Sequence, residues 1–272
     1  MALALKIIIA VIAAYLLICL LIWAFQRKLM YVPQKHVVTP YMNEAPENMK
    51  PVSYKSRDGL ELKAFFAPPE DKMPVIIYFH GNTGIVSDAA HKMIPMAKAG
   101  FGVLMPEYRG YDDNPGSPSE RGLISDALGA RDLAQRLCPN APVIYYGMSL
   151  GTGVANALAE QIPPDALIQE AGFTSFIDAA REFYPFLPLS LMMKDTYKSE
   201  ERIRSLKAPL LVLHGERDKT VPVEQAGRIF DAAGSKDKTI KIYPEGRHVD
   251  LFDFGASNDA LDWLLQRFPK GE

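Results

Sequence analysis

Cysteine and surplus charge are what this 272-residue chain has least of. Its two cysteines, Cys19 and Cys138, are too few for a disulfide framework, and their spacing is not that of a zinc site. The 30 Lys and Arg are balanced by 32 Asp and Glu, and no basic stripe with interleaved aromatic residues is present. We therefore expect neither a nucleic-acid partner nor a metal-stabilised fold.

A long apolar run near the N-terminus is the first strong feature that is present. Residues 7–25, IIIAVIAAYLLICLLIWAF, carry no charge, and as a helix they span roughly 28 Å, about the thickness of bilayer hydrocarbon. The alternatives are a buried core helix or a secretory signal, but the run is long for a signal and no small-residue cleavage site follows. We expect a single-pass membrane anchor over residues 1–27. Basic residues on both sides, Lys6 and Arg27, leave its orientation open.

After the anchor, residues 28–51 contain Pro33, Pro40, Pro46 and Pro51, which predicts an irregular connector that spaces the following domain from the bilayer. Residues 52–272 then alternate short apolar runs with helical segments. This alternation predicts one α/β domain with a mostly parallel sheet covered by helices on both faces. The expected strands after the first hairpin are VIIYF, GVLMPE, VIYYG, ALIQEA, LLVLH and TIKIYP.

Two local signals predict where elements turn or begin. Asp58-Gly59 lies between alternating strand-like stretches and predicts a two-residue hairpin turn. The sequence Ser117-Pro118-Ser119-Glu120 predicts a capping box with Pro118 at the first helical position. The helix that follows has apolar residues at helical spacing.

Ser149 stands where the β-branched and aromatic run VIYYG gives way to small residues. The stretch YGMSLG matches G-x-S-x-G, in which the serine occupies a strained turn from a strand into a helix. We expect a Cβ at Gly147 or Gly151 to collide with the neighbouring strand or helix. The alternative is an ordinary glycine-rich turn with an N-capping serine.

Polar residues follow the later predicted strands at the edge of the sheet where α/β proteins place their sites. Asp218 follows LLVLH and His248 follows TIKIYP, so Ser149, Asp218 and His248 have the chain order of an α/β-hydrolase triad. A serine hydroxyl needs an imidazole to remove its proton, and the imidazole needs a carboxylate to orient it. Asp218 can also be a simple turn residue; the rival acids are Glu216, Glu170 and Asp195.

The same chemistry requires hydrogen-bond donors for an oxyanion. The N–H of Leu150, directly after the serine, and the N–H of Asn82, in the HGNTG loop after the first parallel strand, are the expected pair. The alternative for HGNTG is a tight turn without a role in chemistry.

One insertion, residues 173–206, is long enough to cover such a site. Its apolar content predicts either a helix packed on the sheet or a small cap that holds an acyl chain. The residues we expect to bind substrate are Phe183, Phe186, Leu187 and Met192.

Five motifs in order, FHGNTG, EYRGYDDNPGSPSERGL, YGMSLG, HGERDKTVP and EGRH, resemble those of the membrane-anchored α/β-hydrolase-domain serine hydrolases. This family includes relatives that remove fatty acyl groups from proteins. The resemblance covers roughly residues 52–268 and implies an α/β-hydrolase fold with the triad at Ser149, Asp218 and His248. The stretch GYDDNPGSP departs from the family, whose members usually have glycine and a small residue after the tyrosine.

These observations predict a serine hydrolase of carboxylic esters or thioesters that needs no metal or cofactor. The anchor predicts the lipid bilayer as a partner and a membrane-borne lipid or acylated protein as substrate. A serine peptidase resembling aminopeptidases is the alternative enzyme, and a catalytically silent membrane-tethered interaction module is the alternative outside enzymes. Oligomeric state and acyl length stay open.

Overall fold

A single long helix precedes the domain. The computed structural model describes residues 2–34 and 48–270, and its first element is α1 (Ala2–Met30). By length and composition α1 is a candidate membrane span, and the domain leaves its apolar side chains uncovered. The helix ends at Met30, three residues beyond the expected boundary at 27. The irregular connector begins at Tyr31, and its central part, residues 35–47 with Pro40 and Pro46, lies outside the described residues.

Within the described residues, eight strands form one sheet in the order β1-β2-β4-β3-β5-β6-β7-β8. β1 pairs antiparallel with β2 and β2 antiparallel with β4, and all other pairs are parallel. The mostly parallel sheet expected from the sequence is therefore confirmed. The strands are β1 (Lys50–Lys55), β2 (Glu61–Ala67), β3 (Val75–Phe79), β4 (Gly102–Pro106), β5 (Val143–Met148), β6 (Ala166–Glu170), β7 (Leu210–Gly215) and β8 (Lys238–Tyr243).

Helices cover both faces of this sheet. Strand β3 is buried along its whole length because Ile77 and Phe79 pack into one core while Ile76 and Tyr78 pack into the other. Residues of α3, α4 and α8 lie in the first core, and residues of α2 and α9 lie in the second. The larger helices are α2 (Ala90–Lys98), α3 (Glu120–Leu137), α4 (Leu150–Gln161), α8 (Val223–Ala232) and α9 (Ala256–Arg267).

The insertion between β6 and β7 forms a small cap of short helices. These are α5 (Phe176–Arg181), α6 (Leu189–Met192) and α7 (Ser199–Arg202). Further 3₁₀ turns occur at Val86–Ala89, Ile203–Ser205 and Leu251–Phe254.

Two local predictions need correction. The hairpin between β1 and β2 forms, but its loop is closed by Ser56 N–H on the carbonyl of Leu60 at 2.8 Å, so it is longer than two residues. The capping box is wrong: Ser119 caps α3 by accepting from Gly122 N–H at 3.1 Å, and the helix begins at Glu120.

Glu120 takes part in a different interaction from the expected box. Its carboxylate accepts hydrogen bonds from the N–H groups of Thr196 and Tyr197, at 2.6 and 3.0 Å, and from Arg202 at 2.8 Å. Glu120 therefore holds the cap on the domain. Its partner Thr196 lies 76 residues away in sequence, so no local pattern indicates this contact.

Close contact between α4 and the sheet explains the two glycines around Ser149. A Cβ on Gly151 would overlap the carbonyl oxygen of Phe79 in β3, and one on Gly147 would lie 2.5 Å from the carbonyl oxygen of Gly151. Both atoms belong to backbone that hydrogen bonding fixes in place. The predicted steric need for glycine at both positions is confirmed.

We expect Gly151→Ala to lower the free energy of unfolding by about 3 kcal/mol or more, because the methyl group must displace β3 or α4. Gly227→Ala is the matched control: it lies in α8 with no atom within 4 Å of an added Cβ. This change should raise stability by roughly 0.5–1 kcal/mol, the usual gain for a helix interior. Urea unfolding measures both, and equal stability of the two variants would contradict the packing argument.

Candidate active site

Ser149 lies on the turn between β5 and α4 in a strained backbone conformation. Its φ and ψ are 50° and −116°, a conformation that costs a non-glycine residue on the order of 1–3 kcal/mol. Hydrogen bonds hold it there: Ser149 N–H donates to the carbonyl of Glu170 at 2.9 Å, and its own carbonyl accepts from Thr152 N–H at 2.9 Å. The backbone is thus fully engaged and the side chain projects away from it.

The structure brings Ser149, His248 and Asp218 together at the carboxyl ends of three strands. His248 Nε2 lies 2.8 Å from Ser149 Oγ, and His248 Nδ1 lies 2.7 Å from Asp218 Oδ2. The ionised carboxylate accepts a hydrogen bond from Nδ1–H, which leaves the unprotonated Nε2 as an acceptor for the serine hydroxyl. This is the arrangement that serine activation requires.

Asp218 is held in its orientation by its own loop. Its Oδ1 accepts hydrogen bonds from the N–H groups of Thr220 and Val221, at 2.8 and 2.9 Å. Burial opposes ionisation of this carboxyl, but hydrogen bonds from His214 and His248 outweigh burial and lower the pKa of Asp218 below its ordinary value. Asp218 therefore remains ionised and able to accept from His248 at neutral pH.

His214 supports Asp218, a role that was not expected from the sequence. It is buried at the end of β7, where Nε2 donates to the carbonyl of Val221 at 2.9 Å and lies 3.3 Å from Asp218 Oδ2. It thus fixes the turn that carries Asp218. The one available signal was its position four residues before Asp218.

The rival acids occupy other positions. Glu170 is buried in contact with Lys92 Nζ and with the hydroxyl of Tyr146, the latter at 2.9 Å. Asp195 pairs with Arg27, with Nε 2.8 Å from Oδ2. Glu216 is exposed at the edge of the cavity. Asp218 is the acid whose carboxylate reaches His248.

The expected oxyanion donors lie at the nucleophile. Asn82 and Leu150 both line the cavity that contains Ser149, and a Cβ on Gly81, next to Asn82, would stand 3.7 Å from Ser149 Cβ. Within residues 2–34 and 48–270, neither the N–H of Asn82 nor that of Leu150 has a protein acceptor. Both donors are therefore available to a ligand, as an oxyanion site requires.

The side chain of Asn82 ties this loop to the end of α1. Its Nδ2 donates to the carbonyl of Met30 at 2.6 Å, and its Oδ1 accepts from Val32 N–H at 3.3 Å. The hydroxyl of Tyr111 donates to both Oδ1 and the main-chain carbonyl of Asn82, at 3.0 Å each. Contacts with the end of α1 and with Tyr111 thus fix the Asn82 side chain. No local pattern in the sequence indicates these distant partners.

The divergent GYDDNPGSP loop supports the same junction. Asp112 and Asp113 adopt positive φ angles of 42° and 60°, which aspartate tolerates better than most residues. Asp112 N–H donates to the carbonyl of Gln34 at 3.0 Å, and Lys63 Nζ donates to the carbonyl of Asp112 at 2.8 Å. The loop therefore holds the chain that leaves α1.

The cap also binds the end of α1. The Gln26 side chain joins α1 to the cap. Its Nε2 donates to the carbonyl of Met192 at 3.0 Å, and its Oε1 accepts from Lys194 N–H at 2.7 Å. The Tyr31 hydroxyl donates to Asp195 at 3.2 Å, and burial raises the pKa of Tyr31 well above its ordinary value, so the donor stays protonated. These contacts dock the end of α1 directly on the cap.

A cavity of about 1400 Å³ opens beside Ser149 and His248. Of the four residues expected to bind substrate, Phe183 lines it, whereas Phe186, Leu187 and Met192 do not. Leu187 and Met192 are buried, and the carbonyls of Phe186 and Met192 accept hydrogen bonds from α1. Other residues of the predicted insertion also line the cavity, namely Phe173, Phe176 and Met193. The apolar lining that the sequence did not indicate comes from Leu29 and Met30 at the end of α1.

Comparison with known protein families agrees with this geometry. The family described as alpha/beta hydrolase fold matches residues 74–200, and the family described as serine aminopeptidase, S33, matches residues 187–254. The α/β-hydrolase domain-containing protein WAV2 of Arabidopsis thaliana is 32% identical over 268 residues, which cover 87% of this chain and 85% of WAV2. The chain belongs to the α/β-hydrolase domain family.

Two further similarities extend this result. The lysophosphatidylserine lipase ABHD12 of Danio rerio is 34% identical over 218 residues, covering 72% of this chain and 56% of that protein. A solved structure of the Pyrococcus furiosus esterase Pf2001 superposes with a TM-score of 0.70 at 16% identity, covering 88% of this chain and 98% of the esterase. The latter similarity concerns the fold. The family and the relative ABHD12 identify the α/β-hydrolase domain as that of a hydrolase.

We expect Asp218→Asn to lower kcat by roughly 10⁴-fold, because the amide favours the imidazole tautomer that cannot accept the serine proton. Glu216→Gln is the matched control, an amide substitution in the same loop that leaves the Asp218–His248 hydrogen bond intact, and it should change kcat by less than about threefold. Hydrolysis of a p-nitrophenyl ester gives both values, and circular dichroism checks folding. Near-normal kcat in the Asp218 variant, or a large loss in the Glu216 variant, would contradict the assignment.

Proposed function

We propose that this protein is a serine hydrolase of carboxylic esters or thioesters, acting on membrane-borne lipids or acylated proteins. The observation that carries the proposal is the continuous hydrogen-bonded chain Ser149–His248–Asp218 at the wall of the large, partly apolar cavity. Neither metal nor cofactor has a part in the proposed reaction.

In the proposed reaction, Ser149 Oγ attacks the acyl carbon while His248 Nε2 takes the serine proton. The carbonyl oxygen becomes an oxyanion, which the N–H groups of Asn82 and Leu150 stabilise. His248 then gives its proton to the leaving alcohol or thiol as the acyl–oxygen or acyl–sulfur bond breaks. Water, deprotonated by His248, attacks the acyl-enzyme, and Ser149 recovers its proton as the carboxylic acid leaves.

The surroundings of Ser149 support a substrate with a long acyl chain. Aromatic and aliphatic side chains from the cap and from α1 line one part of the cavity, including Phe176, Phe183 and Leu29. Arg217, Lys219 and Arg247 line it near His248, a placement suited to a negatively charged lipid head group. That ABHD12 carries the name of a lysophosphatidylserine lipase also supports a lipid ester.

A peptidase is the second candidate, since the aminopeptidase family matches the segment that contains Asp218 and His248. An aminopeptidase needs acidic groups to bind the substrate amine. Apart from Asp218, the acids that line the cavity are Asp88 and Glu216, and they are outnumbered by Lys92, Arg217, Lys219 and Arg247. A silent interaction module, in turn, would need no complete set of hydrogen bonds from Ser149 to Asp218. Both alternatives are therefore less well supported than the esterase.

A fluorophosphonate probe should label the wild-type protein and fail to label Ser149→Ala, because the probe reacts with an activated serine hydroxyl. Thr83→Ala, which removes another hydroxyl from the lining of the same cavity, is the matched control and should still be labelled. Labelling that persists in Ser149→Ala would exclude this nucleophile. Absence of labelling in folded wild-type protein would favour the silent module, and faster cleavage of aminoacyl anilides than of p-nitrophenyl acyl esters would favour the peptidase.

Two N-terminal truncations separate membrane attachment from support of the site. Removal of residues 1–25 keeps Gln26, Met30 and Tyr31 in their contacts with the domain. We expect it to leave hydrolysis of short soluble esters within about twofold and to reduce hydrolysis of bilayer-embedded long-chain esters severalfold or more, because the effective concentration falls. Removal of residues 1–34 should lower the hydrolysis of both substrates, because Asn82 then loses its hydrogen bonds to Met30 and Val32.

The comparison uses p-nitrophenyl butyrate for the soluble substrate and phosphatidylcholine vesicles containing a long-chain ester for the embedded one. If removal of residues 1–25 reduced both activities equally, the span would have a structural role only. If it reduced neither, attachment to the membrane would have no part in catalysis, and the proposed membrane-borne substrate would be wrong.

A further inference from the structure

An uncharged segment of the cap exposes large apolar side chains. Residues 183–193, FYPFLPLSLMM, contain no charge. Four of them are exposed on the surface of the domain: Phe183 by 52%, Tyr184 by 51%, Phe186 by 66% and Leu191 by 86%. Clustered exposed groups of this size are unfavourable in water and mark a surface that something else covers. We call residues 183–193 the apolar cap segment.

Contacts with α1 fix where this segment lies. The Tyr15 hydroxyl donates to the carbonyl of Phe186 at 2.8 Å, while Gln26 binds Met192 and Lys194. Tyr15 and Gln26 are eleven residues apart in one helix, a distance of roughly 16 Å along its axis. The apolar cap segment therefore runs beside α1 from its last turn back to the middle of the uncharged stretch 7–25.

Where the apolar stretches of α1 and of the cap end, the charged residues that follow lie side by side. Directly after the segment, Lys194 Nζ lies 3.8 Å from the centre of the Trp23 ring, and Asp195 pairs with Arg27. Tryptophan and basic residues at the end of an apolar helix mark the boundary between hydrocarbon and head groups. The apolar cap segment thus lies on the hydrocarbon side of that boundary, as residues 7–25 do.

We infer that the apolar cap segment is immersed in the lipid bilayer, in the leaflet next to the domain, and that hydrocarbon is what covers it. The inference rests on the proposed membrane attachment: if Tyr15 lies in hydrocarbon, the carbonyl bonded to it lies there as well. A second protein is the less suitable occupant, because a protein bound here must also fit around the exposed face of α1.

The backbone of the segment suits this environment. Lipid offers no hydrogen bonds, so polar backbone groups must be satisfied within the protein. Of the nine N–H groups in the segment, six bond to carbonyls between residues 180 and 189, and the carbonyl of Phe186 accepts from Tyr15. The Tyr15 hydroxyl thereby gains the partner that a buried hydroxyl needs.

Immersion gives the substrate a direct route to Ser149. Phe183 and Met193, which bound the apolar cap segment, line the cavity, and so do Leu29 and Met30 at the end of α1. The cavity is thus bordered by the two elements that enter the bilayer. A long acyl chain in the leaflet therefore has a short path to the nucleophile along Phe183, which belongs to both the segment and the cavity lining.

Depth-dependent fluorescence quenching tests the inference. In the full chain with Cys19 and Cys138 replaced by alanine, single cysteines are placed at Leu191, at Leu16 within the span, and at Leu137, an exposed leucine on α3. Each carries a bimane label in phosphatidylcholine vesicles whose acyl chains are brominated. We expect quenching at positions 191 and 16 and none at 137.

Quenching at 16 without quenching at 191 would overturn the inference and leave the anchor in place. Absence of quenching at both positions would remove the anchor and the inference together. Fluorophosphonate labelling of each variant reports the reactivity of Ser149 independently, so failure of the proposed hydrolase activity is distinguished from failure of immersion.

A charge placed on the segment provides the functional test. Leu191→Asp should reduce hydrolysis of vesicle-embedded long-chain esters by about tenfold or more, because a carboxylate in hydrocarbon is costly, and should leave hydrolysis of p-nitrophenyl butyrate within about twofold. Leu137→Asp, an identical change at an exposed leucine outside the cap, should alter neither. Equal effects of the two substitutions on the vesicle substrate would contradict immersion.

Discussion

The strained turn at Ser149 is the constraint on which the rest of the site depends. A backbone with φ of 50° is stable here because α4 presses against β3 through Gly151, and because Ser149 N–H and its carbonyl are both hydrogen-bonded. The turn sets the position of Oγ, and the loops after β7 and β8 bring Asp218 and His248 to it. The sheet thus acts as a rigid frame for a conformation that an isolated segment would not adopt.

The parts of the fold and site that the sequence predicts are those set by local residue patterns. Short apolar runs, the glycines at 147 and 151, and the polar residues after strands follow from the period of a strand and the geometry of a parallel sheet. Interactions that join distant parts of the chain leave no such pattern. Asn82 reaches Met30 across 52 residues, Arg27 reaches Asp195 across 168, and Glu120 holds the cap rather than completing a capping box.

The cap shows why composition alone does not assign a binding role. Residues 183–193 form one apolar block in the sequence, but the structure divides them among the cavity, the contact with α1 and the outer surface. Phe183 borders the cavity, Met192 is buried against Gln26, and Leu191 is almost fully exposed. Only the position of α1 distinguishes these roles, and nothing within the block indicates where α1 lies.

The docking of α1 on the cap has a consequence for biosynthesis. Arg27 is translated 168 residues before its partner Asp195, an interval of roughly 10–30 s at ordinary elongation rates. During that time Gln26, Arg27 and Tyr31 lack the cap residues that they bind in the finished domain. If this candidate membrane span enters a bilayer early, Arg27 is held at the membrane surface until the completed cap binds it.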